Sequence, residues 1–176
     1  MARVLIVYST TDGHTREICN RLRGTLQAQA HQVSLVSVAE AADPELEKYD
    51  TIVVGASIRY GRHRPEVVGF IERNAHALNR KASALFSVNV VARKPEKNQP
   101  HTNPYVRRLL REIAWRPRAV AVFAGKIDYP RYSPVDRLVI RFIMWLTGGP
   151  TDPKAVVEFT DWRKVEAFGG VIARMQ

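Results

Sequence analysis

Continuous apolar runs alternate with amphipathic runs along most of the chain. The strand-like apolar runs cover residues 3–8, 32–37, 51–55, 82–89 and 119–125. Apolar positions recur at helical spacing over residues of about 14–29, 65–79, 104–115 and 161–175. Strands alternating with helices predict an α/β fold, with a parallel sheet joined by right-handed crossovers. Five strands in this length favour the order 2-1-3-4-5, which places a ligand site at the carboxyl ends of the strands.

One segment interrupts this pattern. We interpret residues 1–176 as a single domain in which 127–156 form an insertion between the fifth strand and the last helix. Within the insertion, Pro134 to Leu146 predicts a helix too short to span a bilayer, with Arg137 and Arg141 one turn apart. Its other side carries Leu138, Val139, Phe142, Trp145 and Leu146. Such a helix is typical of a membrane interface, and the alternative is packing on the protein's own core or on a dimer partner.

Positive charge is concentrated in the middle of the chain. The sequence has 27 Lys and Arg against 17 Asp and Glu, a formal net charge of +10. Residues 59–131 hold 16 of the basic and 5 of the acidic side chains. This field attracts phosphates, anionic lipid or carboxylate-bearing small molecules, the alternative being a solvated basic face. Because no nucleic-acid motif or compact basic patch with interleaved aromatics is present, we expect no nucleic-acid partner.

The cysteine count and the apolar runs exclude further classes. Cys19 is the one cysteine, which excludes an internal disulfide and any multi-cysteine metal site and fits a reducing cytoplasm, so we expect no metal. The chain begins with an apolar strand rather than a signal peptide. No apolar run reaches the roughly 18 residues of a transmembrane helix. We therefore expect a protein that is neither secreted nor membrane-spanning.

A polar loop joins the first strand to the first helix, and we call it the phosphate loop. Its residues are Ser9, Thr10, Thr11, Asp12, Gly13, His14 and Thr15. Hydroxyls, a glycine and a helix N-terminus favour an anion, because free N–H groups and the helix dipole attract negative charge. The alternative is an ordinary polar turn with Asp12 or Thr15 capping the helix. The loop lacks the lysine of a P-loop and the glycine pattern of a dinucleotide fold, which argues against both classes.

Two further loops flank the phosphate loop in the predicted sheet. After the third strand come Ser57, Ile58, Arg59, Tyr60 and Gly61, and after the fourth come Asn89, Val90, Val91, Ala92 and Arg93. We expect Tyr60 to stack on a planar ring, and Asn89 with backbone groups to meet the polar edge of that ring. The alternative is that Tyr60 is a surface aromatic and Asn89 a turn residue.

Several motifs resemble known families. The pattern T-x-x-G-x-T at residues 10–15 resembles the phosphate loop of flavodoxins, which holds the 5′-phosphate of FMN. Asp12 departs from the hydroxyl residue common at its position, so we expect it to turn away from a phosphate and cap or brace the loop. More specific strings are GASIRYG at 55–61, SVNVVARKPEK at 87–97, WRP at 115–117, YPRY at 129–132, GGPTD at 148–152 and TDW at 160–162. Together they resemble the flavodoxin-like, quinone-dependent protoporphyrinogen IX dehydrogenases of haem biosynthesis, over essentially the whole chain.

The resemblance implies both a fold and an activity. The fold is a flavodoxin-like three-layer sandwich. The activity is the six-electron oxidation of protoporphyrinogen IX by non-covalent FMN, with menaquinone or ubiquinone as acceptor. The implied location is the cytoplasmic face of the inner membrane, with peripheral attachment. Whether the protein forms a homo-oligomer is left open. The flavin carries the redox chemistry and no catalytic side chain is assigned, since His14, His63 and His101 are candidates by location alone.

The substrate named by the resemblance carries propionate carboxylates, which suit arginine side chains. Candidates for binding propionates or anionic lipid are Arg62, Arg64, Lys94, Arg131, Arg137, Arg141 and Trp145. Two other functions share the fold and the cofactor. Flavodoxin electron carriers are typically acidic, so the net charge argues against that role. An NAD(P)H:quinone reductase is a closer alternative, which bleaching of bound flavin by NADPH but not by protoporphyrinogen would favour.

Overall fold

A parallel sheet forms the middle layer of the fold. The computed structural model describes residues 1–40 and 44–175. Its strands are β1 (Arg3–Tyr8), β2 (Gln32–Ser37), β3 (Thr51–Arg59), β4 (Arg62–His63), β5 (Ala82–Val88), β6 (Ala119–Phe123), β7 (Lys126–Asp128) and β8 (Val156–Glu158). Its helices are α1 (His14–Gln27), α2 (Pro65–Arg80), α3 (Pro104–Glu112), α4 (Pro134–Thr147) and α5 (Trp162–Ala173). The order β2-β1-β3-β5-β6, parallel throughout, confirms the predicted 2-1-3-4-5 arrangement.

Apolar cores cover both faces of the sheet, because successive side chains of a strand point to opposite faces. On one face, Val4 and Ile6 of β1 pack with buried residues of α1 and α5. On the other face, Leu5 and Val7 pack with α2 and with the end of α3. Burial on both faces explains why the strands read as continuous apolar runs rather than as alternating ones. The predicted three-layer sandwich is confirmed.

Strand β3 is longer than predicted and ends in a tight hairpin. It runs to Arg59 and pairs antiparallel with β4, so Ser57, Ile58 and Arg59 lie in the strand rather than in the loop that follows it. The turn residues Tyr60 and Gly61 have φ angles of 50° and 75°. Two successive positive φ angles are those of a type I′ hairpin turn. The predicted end of this strand at residue 55 was therefore wrong.

Other element boundaries shift by a few residues. Helix α1 ends at Gln27 rather than near residue 29, and α3 ends at Glu112 rather than 115. Ile113 takes an extended conformation with φ −92° and ψ 148°, which stops α3. Strands β5 and β6 end at Val88 and Phe123, one and two residues before their predicted ends.

The insertion contains a hairpin as well as the predicted helix. Strands β7 and β8 pair antiparallel at its two ends, and α4 lies between them. The Ser133 side chain caps α4, because its Oγ accepts a hydrogen bond from the N–H of Asp136 at 3.1 Å. Gly148, with a φ of 71°, ends the helix. Strands of three residues are too short to show a readable alternation, so the sequence pattern missed the hairpin.

Helix α4 presents apolar side chains on two sides. Ile140 and Met144 pack with Ile127, Tyr129 and Tyr132 in a separate small core. On the other side lie large apolar side chains that are 58–70% exposed, which we call the apolar face of α4: Val135, Leu138, Phe142, Trp145 and Leu146. Packing on the protein's own core, the alternative to an exposed helix, therefore holds for one side. Within residues 1–40 and 44–175, no helix has the length and apolar character needed to cross a membrane.

Candidate functional site

A cleft opens at the carboxyl edge of the sheet, where the phosphate loop, the β3–β4 turn, the loop after β5 and the insertion meet. Most residues predicted to bind a cofactor line it. They are Thr10, Thr11, Asp12, His14, Thr15, Ser57, Ile58, Arg59, Tyr60, Gly61, Asn89, Val90 and Val91. The other predicted residues, Ser9, Gly13, Ala92 and Arg93, lie outside this lining. The structure thus brings three separated stretches of sequence to one place, as expected for a parallel sheet.

The phosphate loop is held open around the N-terminus of α1. Gly13 has a φ of 87°, a conformation that favours glycine, and its N–H donates to Thr10 Oγ1 at 2.9 Å. The N–H of Ser9 donates to the carbonyl of Gly55 at 2.9 Å, which fixes the start of the loop to β3. Gly13 occupies the N-cap position and has no side chain with which to cap the helix. Because first-turn N–H groups have no partner within a helix, they suit an anion here.

Asp12 braces the loop and does not cap the helix. Arg59 donates from Nη1 to Asp12 Oδ2 at 3.3 Å and from Nη2 to Asp136 Oδ2 at 3.2 Å. The rings of Tyr60 and Tyr132 lie 5.6 and 5.4 Å from the guanidinium carbon. Burial raises the pKa of Asp12, and the Arg59 guanidinium opposes that effect. Of the two expected roles of Asp12, cap or brace, the structure supports the brace.

His14 joins the phosphate loop to the segment that precedes α5. Its Nδ1 lies 3.2 Å from Glu17 Oε2, and its Nε2 lies 2.6 Å from Thr160 Oγ1. The Thr160 hydroxyl donates to the carbonyl of Ala124 at 2.7 Å, so it accepts from the Nε2–H of His14. The His14 ring also meets Trp162 edge to face, with centroids 6.0 Å apart. Because its Nε2–H donates to Thr160, we assign His14 to fastening the phosphate loop to the segment before α5.

Asn89 organises the loop after β5. Its Oδ1 accepts from the N–H of Ala92 at 3.1 Å and from Asn103 Nδ2 at 3.0 Å. Its Nδ2 donates to Ser87 Oγ at 3.2 Å, and the residue is 3% exposed. These bonds favour the turn-residue alternative over a contact between the Asn89 amide and the edge of a ring. Asn89 instead fixes the backbone that carries Val90 into the cleft.

Two tyrosines stand at the rim of the cleft. Tyr60, at the β3–β4 turn, is 49% exposed, so its predicted stacking on a planar ring stays a prediction. Tyr105 of α3 lies against Gly61 and lines the same cleft. Both tyrosines therefore stand next to the β3–β4 turn.

His63 and His101 lie outside the cleft lining, so neither is placed for proton transfer there. His63, in β4, has its Nε2 2.8 Å from Ser87 Oγ. Burial lowers the pKa of His63 to about 4, with a small opposing effect of Glu112. The imidazole is therefore neutral in the folded protein at neutral pH.

We expect His63 to make the protein less stable in mild acid. The unfolded imidazole binds a proton below its ordinary pKa of 6.5, whereas the folded one does so near 4, so stability is lost as the pH falls between these values. Between pH 7 and pH 4.5 this loss should be about 2 kcal/mol. Urea unfolding at both pH values measures it, and His63→Gln should lose about 2 kcal/mol less than the parent. Equal losses in the two proteins would contradict the assignment to His63.

Several arginines predicted to bind substrate or lipid bond to the protein itself. Arg137 Nε donates to the carbonyl of Tyr129 at 3.2 Å, and Arg141 Nε donates to the carbonyl of Thr151 at 2.8 Å. Both arginines therefore fasten α4 within the insertion. Arg64 Nη1 donates to Thr11 Oγ1 at 3.3 Å and supports the phosphate loop from outside the cleft.

The remaining candidates lie in different places. Arg131 lines the cleft, and its Nη1 donates to the carbonyl of Asp12 at 3.4 Å. Trp145 belongs to the apolar face of α4. Arg62 and Lys94 lie outside the cleft lining. Arg131 is thus the member of this predicted set that the structure brings to the cleft.

Other lining residues were not predicted from the sequence. They are Glu17, Val88, Tyr105, Gly125, Lys126, Ile127, Asp128, Tyr132, Ile140, Ile143 and Met144. Gly125 and Lys126 follow the fifth parallel strand, and its carboxyl end was a signal that could have identified them. The insertion residues carried no such signal, because the position of α4 beside the cleft depends on contacts between distant parts of the chain. In the part of the chain that the structure describes, no cluster of His, Cys, Asp and Glu could hold a metal ion.

Comparisons with known proteins agree with this architecture. A family model described as the flavodoxin domain matches residues 5–154. A protoporphyrinogen IX dehydrogenase (quinone) from Escherichia coli strain K12 is 44% identical over 173 residues, which cover 98% of this chain and 96% of the relative. A protein of the same name from Leishmania major is 38% identical over 174 residues, which cover 98% of this chain and 75% of the relative.

A solved flavodoxin supports the fold. The flavodoxin of Streptococcus pneumoniae TIGR4 superimposes with a TM-score of 0.57 at 15% identity, and the match covers 98% of both chains. The family match spans both the phosphate loop and α4, and the two relatives match nearly the whole chain. The chain therefore belongs to the flavodoxin family and, within it, to the quinone-dependent protoporphyrinogen IX dehydrogenases.

Proposed function

We propose that this protein oxidises protoporphyrinogen IX, with FMN as its bound cofactor and a membrane quinone as electron acceptor in haem biosynthesis. The observation that carries the proposal is the make-up of the cleft. It joins an anion site at the N-terminus of α1 to an apolar wall supplied by Ile143 and Met144 of the insertion. These two ends suit a cofactor with a phosphate and a flat ring, beside which an apolar substrate can lie. Relatives named for this reaction support the same assignment.

The phosphate loop fits FMN by its donors. Thr10 Oγ1 accepts from the N–H of Gly13, which leaves the hydroxyl hydrogen of Thr10 for a phosphate oxygen. Thr15 and the first-turn N–H groups of α1 would add further donors. Asp12 would be kept from the phosphate by its hydrogen bond to Arg59. When bound, FMN supplies the electron-accepting ring, and the protein positions it.

The substrate would lie between the ring and the insertion. Lys126 and Arg131 are cations of the cleft lining, and we assign them to the propionate carboxylates. Lys126 Nζ lies 3.9 Å from Asp128 Oδ2, a loose pair that leaves donors of the ammonium group for a ligand. The apolar wall of α4 would exclude water from the porphyrinogen. Binding and orientation are thus the roles that we assign to the side chains.

We further propose peripheral attachment to the cytoplasmic face of the inner membrane. The apolar face of α4 would rest on lipid, and the net charge of +10 would attract anionic headgroups. A quinone dissolved in the bilayer would then be separated from the cleft by the width of α4. A second copy of the chain is the competing occupant of this face, and it would make the protein a homo-oligomer.

The proposed reaction can be tested by anaerobic incubation of the FMN-loaded protein with protoporphyrinogen IX. We expect porphyrin fluorescence to rise when a menaquinone or ubiquinone analogue is added and to stay low without it. A parallel sample with NADPH in place of the porphyrinogen tests the reductase alternative. Bleaching of the flavin by NADPH, without quinone-dependent porphyrin formation, would replace the proposed activity with that alternative.

A further inference from the structure

Arg93 connects the loop after β5 to the far end of α4. Its Nη1 donates to the carbonyl of Val90 at 3.2 Å. Its Nη2 donates to the carbonyl of Thr147 at 3.0 Å and lies 3.3 Å from Thr147 Oγ1. The guanidinium also lies over the ring of Phe159, 6.0 Å from its centroid. One side chain therefore joins a residue of the cleft lining to the last turn of the insertion helix.

Arg93 holds its charged group in a partly buried position. Its pKa is lowered by burial, which means that the guanidinium has lost part of its hydration. The carbonyl of Thr147 belongs to the C-terminal turn of α4, where unpaired carbonyls and the helix dipole favour a cation. A partly buried guanidinium that bonds to such a carbonyl is held in a defined place rather than left to move in solvent.

The other end of α4 is attached in the same manner. Arg59, at the end of β3, donates to Asp136 in the first turn of α4, and its guanidinium faces Tyr132. The two arginines thus connect the two ends of α4 to the end of β3 and to the loop after β5. Between these ends, Ile140, Ile143 and Met144 line the cleft.

We propose that Arg93 is a positioning residue, which holds the apolar wall of α4 against the loop after β5 and thereby shapes the ring end of the cleft. Arg93 does not line the cleft, so it acts through Val90 and through the wall. None of the contacts of Arg93 reaches the phosphate loop, since its partners are Val90, Thr147 and Phe159. The proposal rests on the proposed function only for the identity of the cofactor.

The test separates the two ends of the cleft by comparing FMN with riboflavin, which lacks the phosphate. Titration of the full chain with each flavin, followed by quenching of flavin fluorescence, gives the two dissociation constants. For Arg93→Met we expect both constants to rise about tenfold, because flavin binding must then order the wall of α4 and the loop after β5. The ratio of the riboflavin constant to the FMN constant should stay the same. For Thr15→Val, at the phosphate end, we expect the ratio of the riboflavin constant to the FMN constant to fall, because only the FMN constant rises. Arg163→Met, an exposed arginine of α5, is the matched control and should change neither constant.

Two further variants keep the proposal testable if Arg93→Met folds poorly. Arg93→Lys keeps the charge and can reach one carbonyl, so its constants should lie between those of the parent and Arg93→Met. Gly149→Ala leaves Arg93 intact, but the added methyl group would crowd Met144 Sδ and the Arg93 guanidinium. We expect it to raise the dissociation constants of FMN and riboflavin by the same factor, as Arg93→Met does.

The outcomes distinguish this inference from the proposed function. If the parent binds both flavins and Arg93→Met and Gly149→Ala bind them equally well, the positioning role is overturned. A change in the ratio of the constants for Arg93→Met would also overturn it, because the effect would then lie at the phosphate end. Failure of the parent to oxidise protoporphyrinogen IX would overturn the proposed function and leave the flavin titrations as informative as before.

Discussion

Replacing Phe142 and Trp145 by glutamate is expected to weaken binding to anionic lipid vesicles by at least a hundredfold. The two side chains are 58% and 69% exposed on the apolar face of α4. Burial of each in lipid should contribute about 1.5–3 kcal/mol, which the charged replacements remove. Sedimentation with vesicles containing phosphatidylglycerol measures the change. The flavin titrations should be unaffected, because neither residue lines the cleft.

The control adds the same two negative charges elsewhere. Val156 and Val171 are exposed apolar residues outside α4, 55% and 38% exposed. Val156→Glu combined with Val171→Glu should weaken vesicle binding only by the charge effect, which high salt also produces. Equal losses in the two double variants would contradict docking through α4. Unchanged vesicle binding, together with a shift from dimer to monomer in sedimentation velocity, would assign the face to a second copy instead.

Replacing Trp115 by alanine is expected to lower the free energy of unfolding by about 4 kcal/mol. Trp115 is fully buried under the sheet, and its Nε1–H donates to Ser83 Oγ at 2.9 Å. The substitution therefore leaves a large cavity and removes a buried hydrogen bond. Urea unfolding measures the loss.

Trp145→Ala supplies a control with the same chemical change at an exposed position, and we expect it to stay within about 0.5 kcal/mol of the parent. Trp115→Phe refills most of the cavity and should restore more than half of the loss. A loss for Trp115→Ala as small as that for Trp145→Ala would show that the residues around Trp115 do not form the tightly packed core described above.

The sheet order and the location of the cleft followed from the sequence because they depend on local patterns. The central strands β1, β3 and β5 are buried on both faces, so their apolar runs are nearly unbroken, as at Thr51 to Gly55. The hydroxyl side chains and the glycine of the phosphate loop are contiguous in the sequence, at residues 9–15. Crossover rules then placed the separate loops side by side without any knowledge of side-chain contacts.

The roles of the arginines could not be predicted in this way. Arg93 and Arg137 bond to backbone carbonyls, and a carbonyl is present at every residue and leaves no trace in the sequence. The acceptor of Arg93 lies 54 positions further along the chain. Composition indicated an excess of basic side chains in residues 59–131, but not which of them bond to the protein itself.

The insertion illustrates a second limit. Its helix was predicted from its apolar content, yet the pattern did not separate the side chains that face the cleft, such as Ile143, from those that face solvent, such as Leu138. Both kinds are apolar, although one side of α4 packs on the protein and the other side is exposed. Periodicity alone cannot assign such a helix to one environment.

The pairing of β7 with β8 has a consequence for how this protein could have acquired its insertion. Ile127 stands opposite Val157, so the chain leaves the sheet domain and returns to it at adjacent points. Opposed residues of an antiparallel pair are about 5 Å apart at their Cα atoms. The two ends of the segment between them are therefore neighbours, and a single short turn could replace the whole segment. A smaller protein of this fold could gain such a segment, or this protein could lose it, without any strand of the parallel sheet changing its place.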